Sequence, residues 1–141
     1  MSVLIAIHNG VEYFPACIDS IKGQTFKEFE CVIVNDGCDE ETSKLLDEVC
    51  KSDDRFKVIR QVQTGLTKAL IHGMEHCHGS LIARIDSDDV AVATRFEHQV
   101  GAFEKNNDLV LLGSEVAYMS AEGILCGIRG HPRTHAQIRK H

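Results

Sequence analysis

Asp86, Ser87, Asp88 and Asp89 place three carboxylates within four consecutive residues, directly after the apolar run Leu81–Ile85. Carboxylates repel one another and also repel phosphate. Gathering them costs free energy unless a cation sits between them. A divalent ion, Mn²⁺ or Mg²⁺, resolves the repulsion and is held by one or two carboxylates plus substrate oxygens. If extended geometry persists beyond Ile85, alternation points Asp86 and Asp88 to the same side. The two are then paired candidates for metal ligands, with Ser87 between them. The plainer reading is also open: acidic residues are common in turns, and an Asp here can cap the next helix.

Asp36 ends a second apolar run and precedes Gly37, a residue that permits a tight turn. A carboxylate there can accept from a base N–H or a ribose hydroxyl, or simply from its own turn backbone. His8 ends the first apolar run, where its flat ring can stack on a base or merely finish a strand. Glycine-rich phosphate cradles are lacking: no GxGxxG follows the first run, no GxxxxGK[ST] occurs, and neither does a GxSxG elbow. An anionic substrate then needs a metal or a helix N-terminus, and for a diphosphate the metal is the favoured of the two. A phosphotransfer pocket would want a nucleophilic Asp after the first run, where His8 and Asn9 stand. His72, His76, Cys77 and His78 have some look of a zinc cluster, since His72 and His76 share a helical face. No second ligand group has matching spacing, so an exposed polar helix end is the favoured reading.

These residues need elements to position them. Val3–Ile7 reads as a buried strand broken by Asn9-Gly10. A helix is expected from Val11 to Lys22, with Phe14, Cys17, Ile18 and Ile21 on one stripe and Pro15 in its first turn. Phe29–Val34 and Phe56–Ile59 read as strands, Glu40–Ser52 and Leu66–His78 as helices, and Leu81–Ile85 as a fourth strand. A helix follows to about Lys105, then a fifth strand at Leu109–Leu112. Glu115–Met119 and Ile124–Ile128 flank Ala121-Glu122-Gly123 as a hairpin. Thr134 and Gln137 form a capping box for a helix opening near His135. This alternation predicts an α/β three-layer sandwich around a mostly parallel sheet. Ligands in such sheets bind beyond the carboxyl ends of the strands. The informative residues are thus His8 and Asn9, Asn35 and Asp36, Gln61 to Thr64, and Asp86 to Asp89.

The chain has 141 residues, 43% of them hydrophobic, which suits one domain spanning 1–141. Its formal net charge is -6, from 15 basic and 21 acidic residues. With the basic residues scattered apart from a cluster at the C-terminus, nucleic acid is not an expected partner. No apolar stretch approaches a membrane span, and no charged segment leads into a signal-like apolar run. The six cysteines show no CxxC spacing, and several sit in apolar stretches, as expected of reduced thiols in the cytoplasm. The last expected helix would hold under two turns by His141, too short for much stability of its own, so a longer natural protein is expected to continue.

With these residues in hand, the chain resembles family 2 glycosyltransferases, which have the Rossmann-like GT-A fold. The resemblance runs through SVLIAIHNG (Ser2 to Gly10), SIKGQTFKEFECVIVNDG (Ser20 to Gly37), GLTKAL (Gly65 to Leu70) and LIARIDSDD (Leu81 to Asp89). Ala6 stands where the family usually has Pro, and His8 where it has Tyr. Ile71 and His72 replace a pair that often contains Asn.

The resemblance implies an inverting transfer from a nucleotide-diphosphate sugar, typically a UDP-sugar, to a saccharide or glycolipid acceptor. It implies that Ala6 and His8 lie beside the base, that Asp36 holds it and that Lys68 approaches the donor. By the same resemblance Asp86 contacts the ribose, and Asp88, with Asp86 and across Ser87, coordinates the metal. The family's catalytic base lies in the later, acceptor-binding part, so none is named here. Analogy also implies work in cell-surface polysaccharide synthesis, in the cytoplasm or at the inner face of the membrane. A non-catalytic nucleotide-sugar-binding module of the same fold is the alternative.

Overall fold

The computed structural model describes residues 1–121 and 123–130, so the helix expected near His135 lies outside the described residues. Two compact units divide the chain, Met1–Glu104 and Lys105–His141.

In the first unit, β1 (Ser2–Ile7), β2 (Glu30–Asp36), β3 (Phe56–Gln61) and β4 (Ile82–Arg84) form one sheet in the order β3-β2-β1-β4. Every pairing is parallel. The apolar runs of β1 and β2 make the two central strands because only those are covered on both faces. Alternation sends Val3, Ile5, Ile7, Cys31 and Ile33 to one face. There they pack with Phe14, Cys17, Ile18 and Ile21 of α1 (Phe14–Lys22), Leu46 and Val49 of α2 (Glu40–Ser52) and Phe96 of α4 (Arg95–Lys105). Leu4, Val32 and Val34 go to the other face, against Ala69 of α3 (Leu66–Met74). The expected three layers are therefore present.

Helix α3 sits flush on the sheet because residue 73 is glycine. A Cβ there would lie 2.5 Å from Leu4 Cδ1 and 2.7 Å from Val34 Cγ2. This seat fixes the helix relative to β1 and β2. Its end comes at Met74 rather than the expected His78, with His76 N donating to Gly73 O (3.0 Å) and Cys77 N to Met74 O (3.2 Å) in tighter closing turns. Helix α1 likewise starts at Phe14, not Val11, and keeps Pro15 in its first turn.

In the second unit, β5 (Val116–Met119) and β6 (Leu125–Arg129) pair antiparallel. Ser120 N donates to Ile124 O and Gly123 N to Ser120 O, both at 2.9 Å, and Gly123 has φ 80°. The hairpin expected there is present. The strand expected at Leu109–Leu112 is not. Leu109 N donates to Asn106 O and Asp108 N to Asn106 Oδ1, both at 3.1 Å, which closes a turn instead. An apolar run becomes a strand only where another strand takes its backbone groups, and no ladder among the described residues includes these.

Candidate functional site

From β1 the chain steps to β2 and then β3 in one direction. It then crosses back to lay β4 on the other side of β1. The strand order reverses between β1 and β4, and in open parallel sheets the crevice beyond the carboxyl ends at such a point is where ligands bind. His8 and Asn9 leave β1 on one side of it. Asp86 to Asp89 leave β4 on the other.

Asp36 is buried at 3% exposure. Its Oδ1 accepts from Gln61 Nε2 (2.7 Å), Thr64 N (2.8 Å) and Thr64 Oγ1 (3.2 Å), and its Oδ2 accepts from Gly65 N (2.8 Å). Burial pushes the carboxyl up. The hydrogen bonds from Gln61, Thr64 and Gly65 outweigh it and hold Asp36 below its ordinary value. Gly65 precedes α3 at φ 91° with no capping side chain of its own, so Asp36 serves as a cap delivered from another strand. Among the described residues the Oδ2 atom takes one bond, which leaves it acceptor capacity for a ligand.

His8 lies one residue beyond the Ile7–Asn35 ladder pair, beside Asp36. Its Nδ1 donates to Asp36 O (2.9 Å), since a carbonyl can only accept. In the neutral ring Nε2 is then an acceptor, and Gln63 Nε2 lies 3.1 Å away to donate to it. The exposed imidazole is thereby held at two points. The β1, β2 and β3 loops are also tied to each other. Asn9, at φ 61°, accepts on Oδ1 from Asp39 N (2.7 Å), and the Cys38 thiol donates to Ile7 O (3.2 Å). Gly37 has φ 73°, and a Cβ on it would lie 2.8 Å from Gln63 N. Only glycine allows the β3–α3 loop to come this close.

Beyond β4 the extended geometry does not persist. Asp89 N donates to Asp86 O (3.1 Å), closing a turn over Asp86 to Asp89. The expectation that strand alternation aligns Asp86 with Asp88 is thus corrected: what relates them is a turn. Asp86 and Ser87 are half-buried, whereas Asp88 and Asp89 are exposed. Arg84 pairs with Leu4 in the ladder, on the α3 face, and its guanidinium forms an ion pair with Asp86. Arg95 Nη2 donates to Arg84 O (2.9 Å). Desolvation and the neighbouring Asp86 and Asp88 push the Asp89 carboxyl up. The turn thus has the acidic field that a cation would neutralise. Among the described residues no group of three or more His, Cys, Asp and Glu converges on one metal position. A metal here would need substrate oxygens to complete its shell.

Ala6 is half-buried beside Val34 on the α3 face. Lys68 is exposed in the first turn of α3, where the helix dipole disfavours a cation unless an anion is near. His72 and His76 are engaged with the chain: His72 meets Gln61 Oε1 through Nδ1, and His76 Nδ1 donates to His72 O (3.0 Å). His8 and Asp36 are in direct contact, and the Asp86–Asp89 turn follows β4, on the other side of the β1–β4 reversal. The residues without an assigned role in the sequence were Gln61, Gln63 and Arg84. A helix opening on Gly65, without a capping side chain, was the one signal that a distant carboxylate supplied the cap.

Residues 2–124 match the family model described as Glycosyl transferase family 2. The chain belongs to this family. WbnJ of Escherichia coli, an O-antigen biosynthesis glycosyltransferase, is 35% identical over 141 residues, covering 99% of this chain and 55% of that protein. EpsH of Bacillus subtilis (strain 168), named as a glycosyltransferase, is 36% identical over 111 residues, 79% of this chain and 32% of its own. The family 2 chain described here therefore spans between 32% and 55% of the length of these relatives. Its first unit has the GT-A fold. S. aureus TarS 1–349 in complex with UDP-GlcNAc superposes with TM-score 0.70 at 21% identity, over 75% of this chain and 31% of that one. GalNAc-T7 with UDP, GalNAc and Mn²⁺ superposes with TM-score 0.67 at 21% identity, over 74% and 21%. Among the described residues no helix is long and apolar enough to cross a membrane.

Proposed function

We propose that this family 2 chain is the donor-binding part of an inverting glycosyltransferase that uses a UDP-sugar and a divalent metal. The observation that carries the reading is the placement of the capped Asp36 and the pinned His8 on one side of the β1–β4 reversal, with the acidic turn on the other. Asp36 Oδ2 accepts the base N–H, and the His8 ring lies along the base beside Ala6. Asp86 faces the ribose, with Ser87 next to it in the turn. Lys68, at the head of α3, offers a positive charge to the diphosphate.

Asp88, with Asp86, would hold Mn²⁺ or Mg²⁺, which when bound stabilises the charge on the departing diphosphate as a Lewis acid. In the reaction an acceptor hydroxyl oxygen bonds to the anomeric carbon. The bond from that carbon to the diphosphate oxygen breaks on the opposite side, its electron pair leaves with the nucleoside diphosphate, and the hydroxyl proton passes to a carboxylate base in the acceptor-binding part. UDP, UDP-GlcNAc and Mn²⁺ in the complexes of the fold neighbours support the donor class and the metal. The O-antigen relative supports a saccharide or glycolipid acceptor in cell-surface polysaccharide synthesis.

Calorimetric titration of residues 1–141 with UDP, CDP and GDP in Mn²⁺ tests the reading. UDP is expected to bind most tightly, with sugar transfer by this chain weak or absent. If none of the three nucleotides binds, the donor site is disproved. Robust transfer would place the base within residues 1–141.

A further inference from the structure

Asp36 is held by more than the backbone of its neighbouring loop. Its cross-strand partner in the ladder is Gln61, at the end of the edge strand β3. The two ends of the Gln61 amide are assigned by what surrounds them. Nε2 lies 2.7 Å from Asp36 Oδ1 and 2.6 Å from Thr64 Oγ1, and a carboxylate can only accept. Both amide hydrogens are thereby used, one on each neighbour. The carbonyl Oε1 therefore points away from Asp36, and the atom it meets is His72 Nδ1 on α3. Since Oε1 can only accept, the His72 proton sits on Nδ1. The ring is fixed from behind by an edge-on contact with His76, at 5.0 Å between centroids. It is fixed along the helix by the flush seat of the neighbouring Gly73 on Leu4 and Val34.

We infer that His72 is a positioning residue for the nucleotide site, acting through Gln61 to aim the Asp36 carboxylate. The inference rests on the donor-site reading above and extends it to a residue that touches no ligand. Without a donor at position 72, Oε1 loses its partner, and the amide is left with its two N–H bonds to Asp36 and Thr64. The Gln61 side chain then has one anchor fewer, so the N–H that it gives to Asp36 Oδ1 is less firmly placed and the carboxylate is held less closely at one angle. The same contact ties α3 to β3, so the β3–α3 loop bearing Gln63 and Thr64 is braced at both ends.

Two substitutions separate this hydrogen bond from ring packing. His72→Phe keeps an aromatic ring against His76 and removes the donor. His72→Asn loses the ring but keeps an N–H near the place of Nδ1. The measurements are UDP affinity in Mn²⁺ and hydrogen exchange of the Thr64 and Gly65 amides in the ligand-free chain. His72→Phe is expected to weaken UDP about tenfold, the loss of about one hydrogen bond's worth of binding, and to speed exchange at both amides. His72→Asn is expected to stay within about twofold of the parent in both readouts. Gln61→Met, which removes the relay while leaving α3 intact, is expected to match His72→Phe and decides the matter if that variant does not fold. Parent-like affinity and exchange in His72→Phe would overturn the inference, as would an Asn variant as impaired as the Phe one. If the exchange pattern holds while the parent binds no nucleotide, the donor reading falls and the relay stands. If UDP binds the parent and every variant equally, the relay falls and the donor reading stands.

Discussion

Asp36, at the end of β2, accepts a 2.8 Å hydrogen bond from the backbone N–H of Gly65, the residue that opens α3. One buried carboxylate at the carboxyl end of a central strand thus caps a helix 29 residues away in sequence. Removing its charge should therefore be felt in stability as well as in binding. Asp36→Asn is expected to lower unfolding free energy by about 2 kcal/mol, the scale of losing charge-assisted bonds to a buried acceptor, and to weaken UDP strongly. Urea denaturation measures the first effect and calorimetry the second. An unchanged urea midpoint would show that Thr64 and Gly65 are capped by something else.

The close approach of Gly37 to Gln63 gives a second expectation. At φ 73°, with backbone nitrogen 2.8 Å from where a Cβ would stand, alanine is both strained and blocked. Gly37→Ala should cost about 2 kcal/mol of stability. It should also weaken nucleotide binding, because the displaced loop carries the amide that pins His8. A thermal melt within a degree of the parent would contradict this.

Glu30 governs a separate pH dependence at the opposite, amino-terminal end of the strands. Burial raises its carboxyl, but His78 N (2.7 Å), Ser2 Oγ (2.8 Å), Lys57 Nζ (3.2 Å) and His78 Nδ1 (3.3 Å) together bring it down to about 2. A carboxylate lowered in the folded state contributes stability that is fully present above its unfolded value of about 4.5 and is lost as pH falls toward about 2. Glu30→Gln is expected to destabilise by about 2 kcal/mol at pH 7, with the difference from the parent shrinking steadily below pH of about 4.5. A difference that is the same at pH 3 and pH 7 would place the loss in packing and not in charge.

Much of the first unit could be read from its residues. The runs Val3–Ile7 and Cys31–Val34 are apolar without alternation because helices cover both of their faces, and that condition marks central parallel strands. Helix ends were harder. The stop of α3 at Met74 depends on closing hydrogen bonds at Gly73 and Met74, which periodicity through His78 does not show. Leu109–Leu112 has strand composition, yet a strand is made by its partner, and Asn106 forms a turn there first. The acidic cluster was legible, but its geometry was not: a single Asp89 N–H on Asp86 O turns an expected alternation into a turn. The relay from His72 through Gln61 to Asp36 joins residues 11 and 25 apart, and no local spacing encodes it.

A metal-dependent nucleotide-sugar donor site across the β1–β4 reversal can be tested by titrating UDP into the chain with and without Mn²⁺ and repeating both titrations on Asp88→Ala. Asp88 is exposed in the turn, so its removal should leave the fold and its stability unchanged. UDP is expected to bind the parent chain only when Mn²⁺ is present, and Asp88→Ala, folded and equally stable, is expected to lose this binding. UDP binding that is the same with and without the ion, or the same in Asp88→Ala as in the parent, would contradict it.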